Sequence, residues 1–248
     1  MKKNLYFVLF ICLFISLSGC NISTNNASVS DKKTEEIEND QYISDFSSID
    51  ELEETVYSDV DATIEQLNEK QEKLKSQINT YELYIKNFEK VESFYNESIE
   101  ETNQLGIRLR DYSLKYAKLI LNDHESYDDK YDELKGIYKC IYDDAGKDMY
   151  DIYDEILKDM YDIYYDGVLK DAYDTIPYEE WYDTHSDEYD LWYDSRSEVY
   201  DIWYDARSDI YDFYSDIRSE VYDQDEKRIE KKMNKFEEDI LVLKKDQQ

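Results

Sequence analysis

The stretch WYDSRSEVYDIWYDARSDIYDF, residues 192–213, repeats one phrase after eleven residues, and that interval restricts the fold more than any other feature of the chain. Eleven residues complete three helical turns at about 98° per residue, so each position of the repeat keeps its face along a helix. Four copies start at Trp181, Trp192, Trp203 and Tyr214. A more ragged set begins at Tyr131 and continues as YDDAGKDMYDI, YDEILKDMYDI and, after one inserted tyrosine, YDGVLKDAYDT. TIPYEE separates the two sets: Pro177 suits the first turn of a new helix, and Glu179 and Glu180 suit its positive end. Five glycines and one proline in 248 residues argue against turn-rich β architecture and against glycine-rich phosphate loops.

In the second set the acids fall on one side. Asp183, Asp187, Asp190, Asp194, Glu198, Asp201, Asp205, Asp209, Asp212, Asp216, Glu220 and Asp223 recur in steps of four, three and four, one stripe of twelve carboxylates. The first set places lysines inside its acids, as in Asp143-Lys147-Asp151, Asp154-Lys158-Asp162 and Asp166-Lys170-Asp174, and each such pair offsets repulsion by about 0.2–0.5 kcal/mol. In the second set the bases have moved. Arg196, Arg207 and Arg218 have rings and apolar side chains, not acids, at their helical neighbours, which predicts stacking on rings or contact with acids of another helix. An aromatic stripe at helical spacing is ordinarily core, and an acidic face is ordinarily solvated. Three tryptophans and eight tyrosines between residues 181 and 224 exceed what a helix seam needs, however. Part of that arc is therefore expected to be a contact surface carried by Trp181, Trp192, Trp203, Tyr193, Tyr200, Tyr204, Tyr211, Arg196, Arg207 and Arg218. Asp194, Glu198, Asp201 and Asp205 are the candidates for loose Ca²⁺ or Mg²⁺ binding, without the loop that builds a high-affinity oxygen cage.

Upstream, Ser48 and Glu51 form a capping box. Leu67, Gln71, Leu74, Ile78, Tyr81, Ile85 and Phe88 alternate spacings of four and three, a heptad seam. The helical pattern is expected to loosen at Gly106, and Ser126 can cap the helix that follows. The fold class predicted is all-α: an elongated helical hairpin bundle or coiled coil of about three long helices, over residues 47–122, 126–175 and 177–246.

The first twenty residues, MKKNLYFVLFICLFISLSGC, join two lysines to a short apolar run and end in Leu17-Ser18-Gly19-Cys20. The run is short for a membrane span of about 20 residues. This segment resembles the signal peptide and lipobox of bacterial lipoproteins. The resemblance implies cleavage after Gly19, a diacylglycerol on the sulfur of Cys20, and residues 20–46 as a lipidated tether holding the body to the extracytoplasmic side of a cell membrane. The eleven-residue period is similar to that of apolipoproteins and synucleins, but those helices flank their apolar face with lysines, and the acids here disfavour lipid-surface binding by the repeat.

Charge points the same way. The chain carries 29 basic and 61 acidic residues, and loss of residues 1–19, with two lysines and no acid, takes the net charge from −32 to −34. That excludes nucleic acid as an expected partner and favours cations or basic proteins. Beyond Cys12 and Cys20 only Cys140 remains, so no internal disulfide can form, and it is expected as a small apolar helix residue. His124 and His185 are the only histidines, no nucleophile–base pair is visible, and neither enzyme activity nor a cofactor is expected. The leading expectation is a lipid-anchored helical scaffold for a protein or envelope partner, with self-association and surface cation or small-ligand binding as the alternatives.

Overall fold

The computed structural model describes residues 45–123 and 126–247, and among them every regular element is helical. The expected signal peptide, Cys20, the tether up to residue 44, and His124 lie outside the described residues. Five legs run alternately up and down, not three.

The first two legs divide the helix expected over 47–122. α1 (Ile49–Gln77) starts where Ser48 Oγ accepts the Glu51 N–H at 3.2 Å. The Glu51 carboxylate reaches one residue past the expected partner, accepting from the main chain and hydroxyl of Ser47, which holds its carboxyl below the ordinary value. α1 ends in Ile78 at φ −124° and ψ 80°, and α2 (Tyr81–Asp123) starts after Asn79 and Thr80. Thr80 Oγ1 accepts the Leu83 N–H at 3.4 Å, a capping hydrogen bond of the kind that competes with helix continuation. The three-residue link turns the chain back, so that Arg108 meets Asp59 at 2.7 Å and Tyr116 donates to Glu53 at 3.0 Å. The predicted seam holds through Leu67, Gln71, Ile78 and Tyr81, all buried, but the break shifts its phase: Tyr84 is buried and Ile85 is exposed. Gly106 does not loosen α2. A Cβ there would stand 3.3 Å from the Ala206 Cβ, so the glycine lets a later helix approach closely, and the irregular residue is Asn87, whose amide donates to the Leu83 carbonyl at 2.7 Å.

The third leg departs from the regular helix expected over 126–175. Ser126 caps α3 (Tyr127–Glu133) through the N–H groups of Asp128 and Asp129. Beyond it, π-helical segments π1 (Ile137–Ala145), π2 (Ile152–Ile156) and π3 (Tyr164–Leu169) alternate with α4 (Gly146–Met149) and α5 (Leu157–Ile163). A switch between the α and π hydrogen-bond patterns leaves main-chain carbonyls without their usual helical donor.

The fourth leg is α6 (Tyr178–Tyr222), with Pro177 at its N-cap, one residue before the predicted place, and Glu179 and Glu180 in its first turn. The helix expected to continue to 246 turns instead at 223–225, where Gln224 takes φ 56° and the Asp225 carboxylate caps α7 (Glu226–Asp246). α7 returns along α6 and α2, stacking Phe236 on Phe213 at 4.1 Å and joining Lys118 to Glu237 at 3.0 Å.

Consecutive legs are antiparallel, as short connections require. Alternate legs are parallel: Tyr57 and Gln71 of α1 meet Asp144 and Ile156 of the third leg, and Tyr95 and Arg110 of α2 meet Glu188 and Asp209 of α6. A continuous core runs between them, from Leu52 and Val56 through Tyr84, Leu105 and Ile120 to Ile217 and Ile240. Asp45 and Phe46, the last residues of the expected tether, belong to this body, since Lys115 pairs with Asp45 and lies over the Phe46 ring. Among the described residues no helix is long and apolar enough to cross a membrane.

Candidate functional site

α6 faces the third leg with tryptophan and arginine. The indole N–H groups of Trp181, Trp192 and Trp203 donate to the carbonyls of Leu169, Leu157 and Gly146 at 2.6, 2.9 and 2.6 Å. The Nε–H groups of Arg196, Arg207 and Arg218 donate to the carbonyls of Tyr153, Tyr142 and Tyr131 at 3.4, 3.1 and 3.2 Å. Each guanidinium also lies over the ring of the tyrosine whose carbonyl it engages, at 4.0, 4.1 and 3.8 Å, with a ring of α6 behind it: Trp192, Trp203 or Tyr214. Every acceptor belongs to the leg that interleaves π-helical and α-helical turns, and the Leu169 carbonyl accepts the Ala172 N–H at 3.2 Å as well as the indole. The stacking expected of the arginines is therefore present, directed inward. The six Trp and Arg side chains are half-buried, holding two legs of one chain together.

The tyrosines are arranged differently. Tyr182, Tyr193 and Tyr204 are 55%, 55% and 58% exposed. A second row, Tyr178, Tyr189, Tyr200, Tyr211 and Tyr222, is exposed as well. The rows touch each other through stacked pairs such as Tyr189–Tyr193 and Tyr200–Tyr204. Where they approach α3 and π1, Tyr138, Tyr211, Tyr214 and Tyr222 line a depression of about 610 Å³. Of the expected contact residues, then, Tyr193, Tyr200, Tyr204 and Tyr211 lie on the open face, and the Trp and Arg residues lie beneath it.

The acid stripe is solvated: eleven of its twelve members are exposed and Glu220 is half-buried. Neighbouring legs neutralise its far end, where Arg110 meets Asp209, Lys232 meets Asp216 and Arg228 meets Glu220. Among the described residues no ion pair reaches a stripe acid from Asp183 to Asp205, Asp194, Glu198, Asp201 and Asp205 included, although Arg196 beneath them meets Asp154 at 3.9 Å, and no group of three or more His, Cys, Asp or Glu is placed to hold a metal. In the third leg, Lys158–Asp162 and Lys170–Asp166 form at 2.6 and 3.6 Å as the spacing predicts. Cys140 is buried and free, its thiol pushed up to about 11 by burial.

One copy of the repeat breaks the pattern, and sequence reasoning missed it. In the column where the later copies carry Arg196, Arg207 and Arg218, the first carries His185, stacked on Trp181 at 4.4 Å and tilted against Tyr165 at 3.7 Å. In the column of Val199, Ile210 and Val221, all fully buried, it carries Glu188, also fully buried. Tyr84 and Tyr95 of α2 donate to the two carboxylate oxygens of Glu188 at 2.5 and 2.8 Å. Aligning the copies by column exposes both departures.

No protein-family model, curated protein or solved structure matches the chain.

Proposed function

We propose that the chain is a lipid-anchored, extracytoplasmic scaffold whose third leg and α6 form a paired eleven-residue repeat, presenting the tyrosine rows and the unpaired acids of α6 to a cationic protein. The observation that carries this reading is the division of labour on α6: Trp and Arg are engaged by the third leg, whereas Tyr182, Tyr193 and Tyr204 stand open at eleven-residue intervals beside Asp183, Asp194 and Asp205. Exposed rings with adjacent carboxylates suit guanidinium groups, which stack on the ring and fork onto the acid. The chain's own arginines display the stacking half of that geometry. A repeated face extends the contact instead of building one pocket. The anchor rests on the lipobox-like LSGC at residues 17–20 and is independent of the face.

Two measurements test the two halves. Titrating the chain with an arginine-rich peptide and with its lysine counterpart should give tighter binding of the arginine peptide, weakening as salt rises. Equal binding of both would reduce the face to bulk charge. Replacing Cys20 with serine should move the protein out of the membrane fraction, and unchanged membrane behaviour with normal cleavage would defeat the anchor.

A further inference from the structure

The repeat copy over residues 181–191 departs from its siblings by a carboxylate in a core column. The inserted tyrosine of the third leg, Tyr164, is packed at the same level. Its ring lies 5.6 Å from that of Tyr84, it is fully buried, and its hydroxyl has no hydrogen-bond partner. The insertion also explains the spacing of the clamps. The acceptor carbonyls at Gly146 and Leu157 are eleven residues apart, but Leu157 and Leu169 are twelve apart, while the donors Trp203, Trp192 and Trp181 keep eleven throughout. Thus an extra phenol and a misplaced acid, each an exception to its own repeat, occupy one buried place with Tyr84 and Tyr95.

From this convergence we propose that Glu188, with Tyr84, Tyr95 and Tyr164, is a proton-binding site that makes the packing of the third leg and α2 against α6 depend on pH. The groups facing it are phenols from α2 and the third leg, and Asp187 beside it on α6; no cation of the described residues bonds the carboxylate. An ionised carboxylate held dry by two phenol donors alone lacks the countercharge that burial of a charge demands. A proton removes the charge that burial penalises, and the partnerless Tyr164 hydroxyl marks the cluster as short of polar partners for an ionised group. Burial accordingly pushes the Glu188 carboxyl up to about 7, against the pull of the two phenol hydrogen bonds, and raises the phenols of Tyr84, Tyr95 and Tyr164. The sign follows. Between its ordinary value of 4.5 and about 7 the folded state binds more proton than the unfolded state, so this contribution to stability is complete at low pH and is lost as pH rises through that window. Burial lowers the imidazole of His185, which acts in the opposite sense, losing stability as pH falls.

The test uses the whole chain in neutral detergent. The melting temperature of the native protein should fall between pH 5.5 and 8, and Glu188→Gln, which stays neutral, should flatten that fall and melt about 5 °C higher at pH 8. In the infrared, the native protein should show a protonated-carboxyl C=O band that disappears with a midpoint near 7 and is missing from Glu188→Gln. Parallel melting curves for the two proteins would overturn the proposal. So would a native spectrum without that band at pH 6, which decides the matter even if the variant does not fold. Neither readout depends on the anchor or on the cationic partner.

Discussion

Arginine and tryptophan do related work at neighbouring columns of α6, each closing a main-chain carbonyl of the third leg with a side-chain N–H; the guanidinium lies over a tyrosine ring, and the indole meets its tyrosine at a tilt, 55° for Trp203 and Tyr150. Lysine can carry the charge but has neither the planar face nor the Nε–H in that position. Replacing Arg196, Arg207 and Arg218 together with lysine should therefore destabilise the fold by about 2–4 kcal/mol, from three lost stacking contacts and three loosened hydrogen bonds. Because Trp192 and Trp203 back two of these guanidinium groups, tryptophan emission should shift to the red and become more accessible to quencher. Urea melts and emission unchanged from native would show that the clamps contribute nothing. The α6 ring behind each of these arginines could be read from spacing, but the third-leg tyrosine that each lies over could not. Nor could their acceptors, since a main-chain carbonyl leaves no mark in side-chain pattern. Glu188 was hidden for another reason: it lies one residue from the acid stripe, among so many carboxylates that only its column sets it apart.

At the scale of elements, the helical character of the chain was legible from period and composition, and the number of legs was not. The link at 78–80 escapes notice because three- and four-residue spacings of apolar side chains continue across it, although Asn79-Thr80 is a reasonable cap in hindsight. The turn at 223–225 is masked similarly by charged residues that continue a helical composition. Glycine supplies a sharper test of how the legs pack. A Cβ on Gly136 would stand 1.8 Å from the Tyr116 hydroxyl oxygen and 2.3 Å from its Cζ, so α2 seats a whole ring end where that side chain would be. Gly136→Ala must displace Tyr116 and its hydrogen bond to Glu53, and should cost about 1–3 kcal/mol despite the better helix propensity of alanine. A thermal melt at or above the native value would show that the third leg does not approach α2 as closely as described.

For the molecule as a whole, the net charge of −32 concentrates its consequences on α6, where the stripe acids from Asp183 to Asp205 form no ion pair among the described residues. Adjacent like charges at helical spacing cost about 0.2–0.5 kcal/mol per step before screening. Magnesium or calcium should accordingly raise the melting temperature modestly more than NaCl at equal ionic strength, and equal responses would mean that the stripe is only screened. The division of α6 into inward-facing and partner-facing side chains is tested by calorimetric titration of two triple variants with an arginine-rich peptide. Tyr182, Tyr193 and Tyr204 changed to serine should abolish most of the binding while leaving the melt near native. Arg196, Arg207 and Arg218 changed to lysine should lower the melt and, below it, preserve the binding. The reverse result, with the arginine variant losing the peptide at native stability and the tyrosine variant binding as before, would contradict that division.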